Sequence, residues 1–186
     1  MNKKISLILF YLLFFIIIVP LIFSVMVNSP VLYSQTISLS DRKVIYELPF
    51  PGILPDNPLY PVKMVRDRLL DLITRDNIKK AELYFLYSDK RAAMAISLTN
   101  IGKAKLAIST LTKGEKYSEK IPNLLKNAKE QGVTPSENLL YKLKLSNDKH
   151  REIIETIAKQ IPQGQEKDIE YLLNLNSKVK KDLSSF

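Results

Sequence analysis

The sequence contains no cysteine, one histidine and only five glycines. Without cysteine the chain can form no disulfide, thiolate nucleophile, zinc–thiolate site or lipoprotein anchor. The single histidine, His150, excludes a multi-histidine metal site and leaves one candidate base for a serine triad. There is no phosphate-binding glycine loop, calcium loop or G-x-S-x-G nucleophile motif. We therefore predict no catalytic residues, no cofactor and no metal.

The N-terminus carries a long apolar run. No charged residue occurs from Ile5 to Val27, and Lys3 and Lys4 precede this run. As a helix it would measure about 34 Å at about 1.5 Å per residue, enough to cross a hydrocarbon layer of about 30 Å. Lysines before such a run place the N-terminus in the cytoplasm. Residues 1–27 are therefore predicted to form one transmembrane helix, with the rest of the chain on the extracytoplasmic side.

A cleaved signal peptide is the alternative for this segment. Signal peptides have an apolar region of about 7–15 residues and a cleavage site with small residues. Here the run is longer, and the nearest cleavage site, ending at Ser29, is followed directly by Pro30, which is unfavourable. The pattern favours an uncleaved anchor and leaves cleavage open. Either interpretation puts the following domain outside the cytoplasm.

A polar tether and a proline-rich arm come next. Residues 28–45 are polar, with weak signals for a short strand at residues 31–33 or 44–46. Five prolines lie between Tyr46 and Pro61, which forbids a regular helix or a central strand there. The arm also carries several large apolar side chains. We therefore expect an extended arm that packs along the helices.

Helical periodicity dominates the remainder of the chain. We predict five helical stretches: Leu59–Leu72, Asn77–Ile101, Ala104–Glu130 with a break near Ile121, Pro135–Gln160 and Gln165–Leu183. Asp76 is the expected cap of the second stretch and Thr134 that of the fourth. Two apolar stripes make the second stretch the expected central helix. The predicted fold is all-α, an antiparallel helical bundle in which residues 46–131 hold the arm and first helices and residues 132–186 add a C-terminal helical pair.

Part of the chain resembles a known family. The arm LPFPGILPDNPLYP at Leu48–Pro61, the KKAEL run at Lys79–Leu83 and the reversal at Gly102 carry the likeness. Over Leu48–Tyr117 the sequence resembles the DUF5667 family of exported bacterial proteins. The resemblance implies an anchored, extracytoplasmic helical domain of unassigned function, and it does not extend to the C-terminal part.

The formal net charge of +9 favours anionic neighbours. In addition to the membrane itself, the candidate partners are an envelope protein or an anionic wall polymer. Lys142, Lys144, Lys149 and Arg151 are expected to form a basic face on the fourth helical stretch. No nucleic acid is expected, because the domain is placed outside the cell and no aromatic residues alternate with these lysines.

Aromatic residues provide the candidate binding surface. Around the arm and the second stretch they could line a groove for a carbohydrate or a peptide, formed by Tyr46, Phe50, Tyr60, Tyr84 and Tyr87. Asp67 and Asp71, four residues apart on one helix, are expected to form surface ion pairs. His150 is expected at the edge of the core, with its ring beside Leu143 and Ile154.

These observations favour a non-enzymatic module of the cell envelope that binds a partner or serves as a scaffold or spacer. The alternative is an accessory module that binds or hydrolyses a cell-wall polymer through carboxylates and tyrosines. An enzyme should show a concave pocket with converging acidic groups. A scaffold should instead show a sizeable exposed apolar patch.

Overall fold

The computed structural model describes residues 44–160 and 164–186. The predicted anchor at residues 1–27 and nearly all of the predicted tether lie outside these residues. Within the described part, no helix combines the length and apolar character needed to cross a membrane. That part of the chain is all-helical, as predicted, and contains no strand, including at residues 44–46.

Six helices make up the described fold. They are α1 (Tyr60–Ile73), α2 (Asn77–Asn100), α3 (Ala104–Ser118), α4 (Ile121–Glu130), α5 (Glu137–Ala158) and α6 (Glu166–Leu183). The predicted break in the third stretch separates α3 from α4. Pro122 lies in the first turn of α4, where a missing N–H costs no helical hydrogen bond. The five predicted stretches thus correspond to six helices.

The helix caps partly follow the predictions. Oδ1 of Asp76 accepts a hydrogen bond from the N–H of Lys79 at 2.8 Å, as expected for the cap of α2. Gly102 adopts φ +76°, so the reversal between α2 and α3 uses the left-handed backbone conformation that favours glycine. The Thr134 cap is wrong. Pro135 remains outside the helix, and Ser136 caps α5 by accepting from the N–H of Leu139 at 3.2 Å.

Helix α2 is central to the bundle. Its C-terminal half supplies Ala92, Ala95 and Leu98 to an apolar cluster shared with α3, α5 and α6. Its N-terminal half supplies Ala81, Tyr84 and Tyr87 to a second cluster shared with α4, α5 and α6. One helix with two apolar stripes thus contributes to two regions of the core, which confirms the central position predicted for it.

Helices α2 and α3 approach each other closely at Gly114. A Cβ atom at this position would lie 3.1 Å from Cβ of Arg91 and 3.2 Å from the carbonyl oxygen of Ser88. Glycine has a weak helix propensity, yet α3 continues through Gly114. The missing side chain lets the two helices approach each other.

The proline-rich arm packs on the bundle, as predicted. Leu48 of the arm is buried in the first apolar cluster, and just before the arm the N–H of Val44 donates to Oε2 of Glu152 at 2.9 Å. Further along, Nζ of Lys103 lies 2.6 Å from Oδ2 of Asp56. These contacts attach the arm to α5 and to the turn between α2 and α3.

Candidate functional site

The only histidine lies between two carboxylates inside the bundle. Nδ1 of His150 on α5 is 2.8 Å from Oε1 of Glu115 on α3. Nε2 is 3.1 Å from Oδ1 of Asp89 on α2. Both ring nitrogens therefore face carboxylate oxygens, a geometry that an imidazolium with two N–H groups satisfies.

Asp89 connects the histidine to the arm. Besides contacting His150, its carboxylate accepts hydrogen bonds from the hydroxyls of Ser146 and Tyr46. Tyr46 belongs to the arm and Ser146 to α5, so this carboxylate joins three separate parts of the chain. The result is a buried network that we call the His150 cluster, formed by Tyr46, Asp89, Glu115, Ser146 and His150.

The electrostatics of the cluster favour a charged histidine. Burial alone would lower the pKa of His150, but the charge of Glu115 and hydrogen bonds to both carboxylates outweigh it. Together they raise the pKa from 6.5 to about 10. Burial and the neighbouring Asp89 also raise the pKa of Tyr46, so its hydroxyl stays protonated and donates.

The charged groups of the His150 cluster are closed to solvent, whereas Tyr46 is partly exposed. His150 and Glu115 are 0% exposed and Asp89 is 3% exposed. Oε2 of Glu115 is also buried and has no hydrogen-bond partner within the described residues. Acid and base groups are present, but their burial keeps a substrate from reaching them. The arrangement fits a structural network that joins α2, α3, α5 and the arm.

The predicted setting of His150 at the edge of the core is wrong. The spacing along α5 correctly identified an inward position, but the partners come from α2 and α3, 61 and 35 residues away. Nothing in the local sequence pairs these residues. The one available signal was the presence of acidic residues at inward positions of two other helices.

Helix α1 contacts α2 through polar groups. Asp67 is only 4% exposed and lies between two basic groups, with its oxygens 3.0 Å from Nζ of Lys63 and 2.6 Å from Nη2 of Arg66. Asp67 therefore pairs with nearby basic groups as predicted, but the prediction that these pairs lie on the surface is wrong. Asp71 does form an ion pair, with Lys80 of α2 at 3.2 Å.

Two tyrosines of α2 complete this contact. The hydroxyl of Tyr87 donates to the backbone carbonyl of Asp67 at 3.0 Å, and that of Tyr84 donates to Oδ1 of Asp71 at 2.7 Å. Tyr60 is also buried, and Tyr46 belongs to the His150 cluster. Of the five predicted surface aromatics, Phe50 is the one with a largely exposed side chain. Ligand binding by this set remains a prediction.

The apolar side of α1 faces solvent. Its large side chains are all more than half exposed, and Leu72 reaches 74%. We call this surface the outer α1 face, formed by Leu59, Val62, Val65, Leu69, Leu72 and Ile73. A surface helix in a globular protein normally turns such a stripe towards the core. Here α1 turns its charged side inwards and its apolar side outwards.

The predicted basic face on α5 is divided. Lys142 and Lys144 are exposed, but Lys149 is buried and lies 2.8 Å from Glu152. Arg151 is paired with Glu155 at 2.7 Å. The four basic groups therefore do not form a single free surface, because two of them are neutralised within α5.

An open groove lies between α4 and the C-terminal end of α6. It has a volume of about 560 Å³ and includes Lys126, Lys129, Glu130 and Asp182 among its lining residues. It contains none of the predicted surface aromatics. Within residues 44–160 and 164–186, no group of three or more acidic or histidine side chains is arranged to hold a metal ion.

A family comparison agrees with the resemblance noted in the sequence. A family model described as a domain of unknown function, DUF5667, matches residues 52–182. The match extends well beyond Tyr117 and takes in α5 and nearly all of α6. The C-terminal helices thus belong to the same family domain as the arm. No curated protein and no solved structure matches the chain.

Proposed function

The chain belongs to the DUF5667 family, and from this premise we propose that it is a membrane-anchored, extracytoplasmic module that works by contact instead of catalysis. Residues 1–27 anchor it, and the helical bundle binds or scaffolds at the cell envelope. The charge-free run from Ile5 to Val27 supports the anchor, since it is long enough to cross a bilayer.

The outer α1 face carries this proposal. Six large apolar side chains, five on α1 and one on its N-cap residue Leu59, lie together, and each is more than half exposed. A large apolar patch on a soluble surface lowers solubility unless something covers it, and such patches mark interaction sites. The face therefore supports a contact function for the bundle.

The His150 cluster supports a non-catalytic role. Its acid and base groups are the best-assembled chemical groups among the described residues, yet they are buried and already bonded to one another. A general acid or base must come within hydrogen-bond distance of its substrate. The closed network instead stabilises the arrangement of α2, α3 and α5.

Protease protection of the full chain tests placement. Intact cells expressing the chain with a C-terminal tag are treated with an external protease, and membranes are then extracted with alkaline carbonate. We expect loss of the tag in intact cells and retention of the full-length chain in the carbonate-washed membrane. A protease-protected chain in the cytoplasmic fraction would contradict the proposal. A shortened chain released outside would replace the anchor with a cleaved signal peptide.

A second experiment tests the mode of action. Crosslinking in intact cells, followed by purification through the tag, should recover membrane lipid or a stoichiometric protein together with the chain. Recovery of wall glycan alone, with turnover of that glycan by the purified chain, would overturn the non-enzymatic proposal.

The groove between α4 and α6 favours one alternative function, the binding of an anionic wall polymer. Lys126 and Lys129 line it and can attract anionic groups, although Glu130 and Asp182 oppose them. Co-sedimentation with purified wall polymer tests this alternative. Lys126→Glu with Lys129→Glu should abolish it, whereas the matched pair Lys142→Glu with Lys144→Glu on α5 should not.

A further inference from the structure

We infer that the outer α1 face rests in the headgroup region of an anionic lipid bilayer, so that the domain touches the membrane at a second place besides its anchor. This inference rests on the proposed membrane anchoring and names the surface that the bundle contacts. It concerns a helix that lies along the membrane and does not cross it.

The geometry of α1 fits an interfacial helix. Val62, Val65, Leu69 and Leu72 follow spacings of three, four and three residues, which keeps them on one side. The helix has 14 residues and measures about 21 Å at about 1.5 Å per residue, too short for a hydrocarbon layer of about 30 Å. An apolar stripe of this length can be buried only if the helix lies in the plane of the interface.

The inner side of α1 fixes its orientation. Lys63 and Asp67 are buried as an ion pair, and the hydroxyl of Tyr87 donates a hydrogen bond to the backbone carbonyl of Asp67. Rolling the helix to bury its apolar side would expose or break these bonds and would leave Tyr87 without its acceptor. The outer α1 face therefore stays outward and needs cover from outside the bundle.

The charges beside the face identify an anionic surface. Arg68 on α1 and Arg75, two residues after its end, are exposed, and neither forms an ion pair within the described part of the chain. Arg66 is paired with Asp67 and is therefore not one of these free charges. Asp76 is the nearby exposed carboxylate, but it already caps α2. Free arginines bordering an apolar stripe match anionic headgroups above lipid chains.

The same charges disfavour a second copy of this chain. A symmetric pair of α1 helices would place arginines along both edges of one shared apolar seam. Like charges at close range oppose association, and the carboxylates close by in sequence are already engaged, since Asp71 pairs with Lys80 and Asp76 caps α2. A bilayer with acidic headgroups meets both the apolar and the basic parts of this surface.

The chain is long enough to bring the face to the membrane. Sixteen residues, 28–43, separate the predicted anchor from the first described residue, Val44. They can span at most about 55 Å, taking about 3.4 Å per residue. The longest of the described helices, α2, has 24 residues and measures about 36 Å. The tether therefore does not prevent any side of the bundle from reaching the bilayer.

A single-cysteine fluorescence experiment tests this contact. Because the natural chain has no cysteine, a Leu69→Cys variant takes one fluorophore at a defined position. Tyr141→Cys on α5, exposed to 64% in the wild type, is the matched control. The full chain is reconstituted in vesicles of phosphatidylcholine with phosphatidylglycerol, and each label is challenged with lipid-borne nitroxide and with iodide in the water.

Lipid-borne nitroxide should quench the Leu69→Cys label several-fold more than the Tyr141→Cys label. Iodide quenching equal at the two sites would overturn the inference, because the face would then lie in water. Protection from both quenchers would also overturn it and would assign the cover to a second copy or to residues 1–43. Disulfide crosslinking between Leu69→Cys chains distinguishes cover by a second copy from cover by residues 1–43. If the full chain does not sediment with vesicles, the proposed anchoring fails together with this inference. If the chain sediments but the label at position 69 is exposed to water, this inference alone is overturned.

Charge reversal tests the anionic component. Arg68→Glu with Arg75→Glu should reduce nitroxide quenching at Leu69→Cys several-fold in phosphatidylglycerol vesicles. Lys142→Glu with Lys144→Glu makes the same change in net charge elsewhere and should leave it unchanged. Equal loss with both pairs would point to net charge alone and would overturn the assigned surface.

Discussion

Nδ1 of His150 lies 2.8 Å from Oε1 of Glu115, and neither side chain is exposed to solvent. Asp89 contacts the opposite ring nitrogen at 3.1 Å. Two carboxylates therefore share one imidazolium inside the core. Breaking a buried pair by removing one partner is costly, because the remaining charge loses its compensation.

This arrangement predicts an unusual titration. His150 should stay doubly protonated well above pH 7, since Glu115 and Asp89 raise its pKa to about 10. The ring resonances of the single histidine, followed by NMR in detergent-solubilised full chain, check this without assignment. A midpoint near 6.5 would contradict the described contacts. The unfolded chain provides the internal reference, because its histidine should titrate at that ordinary value.

The same pKa shift predicts how stability depends on pH. The folded-state pKa of His150 is higher than the unfolded value, so its contribution is fully present below pH 6.5 and lost as the pH rises towards about 10. Across this window the free energy of unfolding should fall as the pH rises, because the unfolded chain loses this proton first. Urea unfolding between pH 6 and pH 9 measures it. A rise in stability with pH over this window would contradict the assignment.

Asp89 should be one of the most sensitive polar positions. Asp89→Asn removes a carboxylate that accepts from His150, Ser146 and Tyr46, and we expect a loss of about 3–5 kcal/mol in the free energy of unfolding. Asp148→Asn is the control, since Asp148 pairs with Lys180 on the surface and should cost less than about 1 kcal/mol. Urea denaturation compares the two variants, and equal losses would refute the role of Asp89.

Gly114 should not tolerate a side chain. A methyl group there would press on Arg91 and on the backbone of Ser88, so Gly114→Ala should cost about 1–3 kcal/mol despite the better helix propensity of alanine. Lys113→Ala, at the neighbouring exposed position, should be nearly neutral. Thermal unfolding distinguishes them. Stabilisation by Gly114→Ala would show that propensity outweighs the steric conflict.

The cap of α5 separates the sequence-based prediction from the structure. Ser136→Ala should destabilise the protein by about 1 kcal/mol, because its hydroxyl oxygen accepts from the N–H of Leu139. Thr134→Ala should change stability by less than about 0.5 kcal/mol. Urea midpoints measure both effects. The reverse order would restore Thr134 as the cap.

The sequence alone determined the helical class, the central position of α2 and the packed proline-rich arm. These features depend on short-range chemistry. Two apolar stripes along α2 require contacts on two sides, and the prolines from Pro49 to Pro58 exclude a helix over the arm whatever the rest of the chain does. The cap at Asp76 and the turn at Gly102 could likewise be predicted, because each depends only on residues close by in sequence.

Only the tertiary structure decided which side of α1 faces the bundle. Periodicity locates an apolar stripe but does not say whether protein, solvent or lipid covers it. The partners on α2 are Lys80, Tyr84 and Tyr87, whose polar tips bind Asp71 and the backbone of Asp67, so the charged side of α1 turns inwards. The His150 cluster has the same origin. Its acids come from helices that are distant in sequence, and packing alone brings them to one ring.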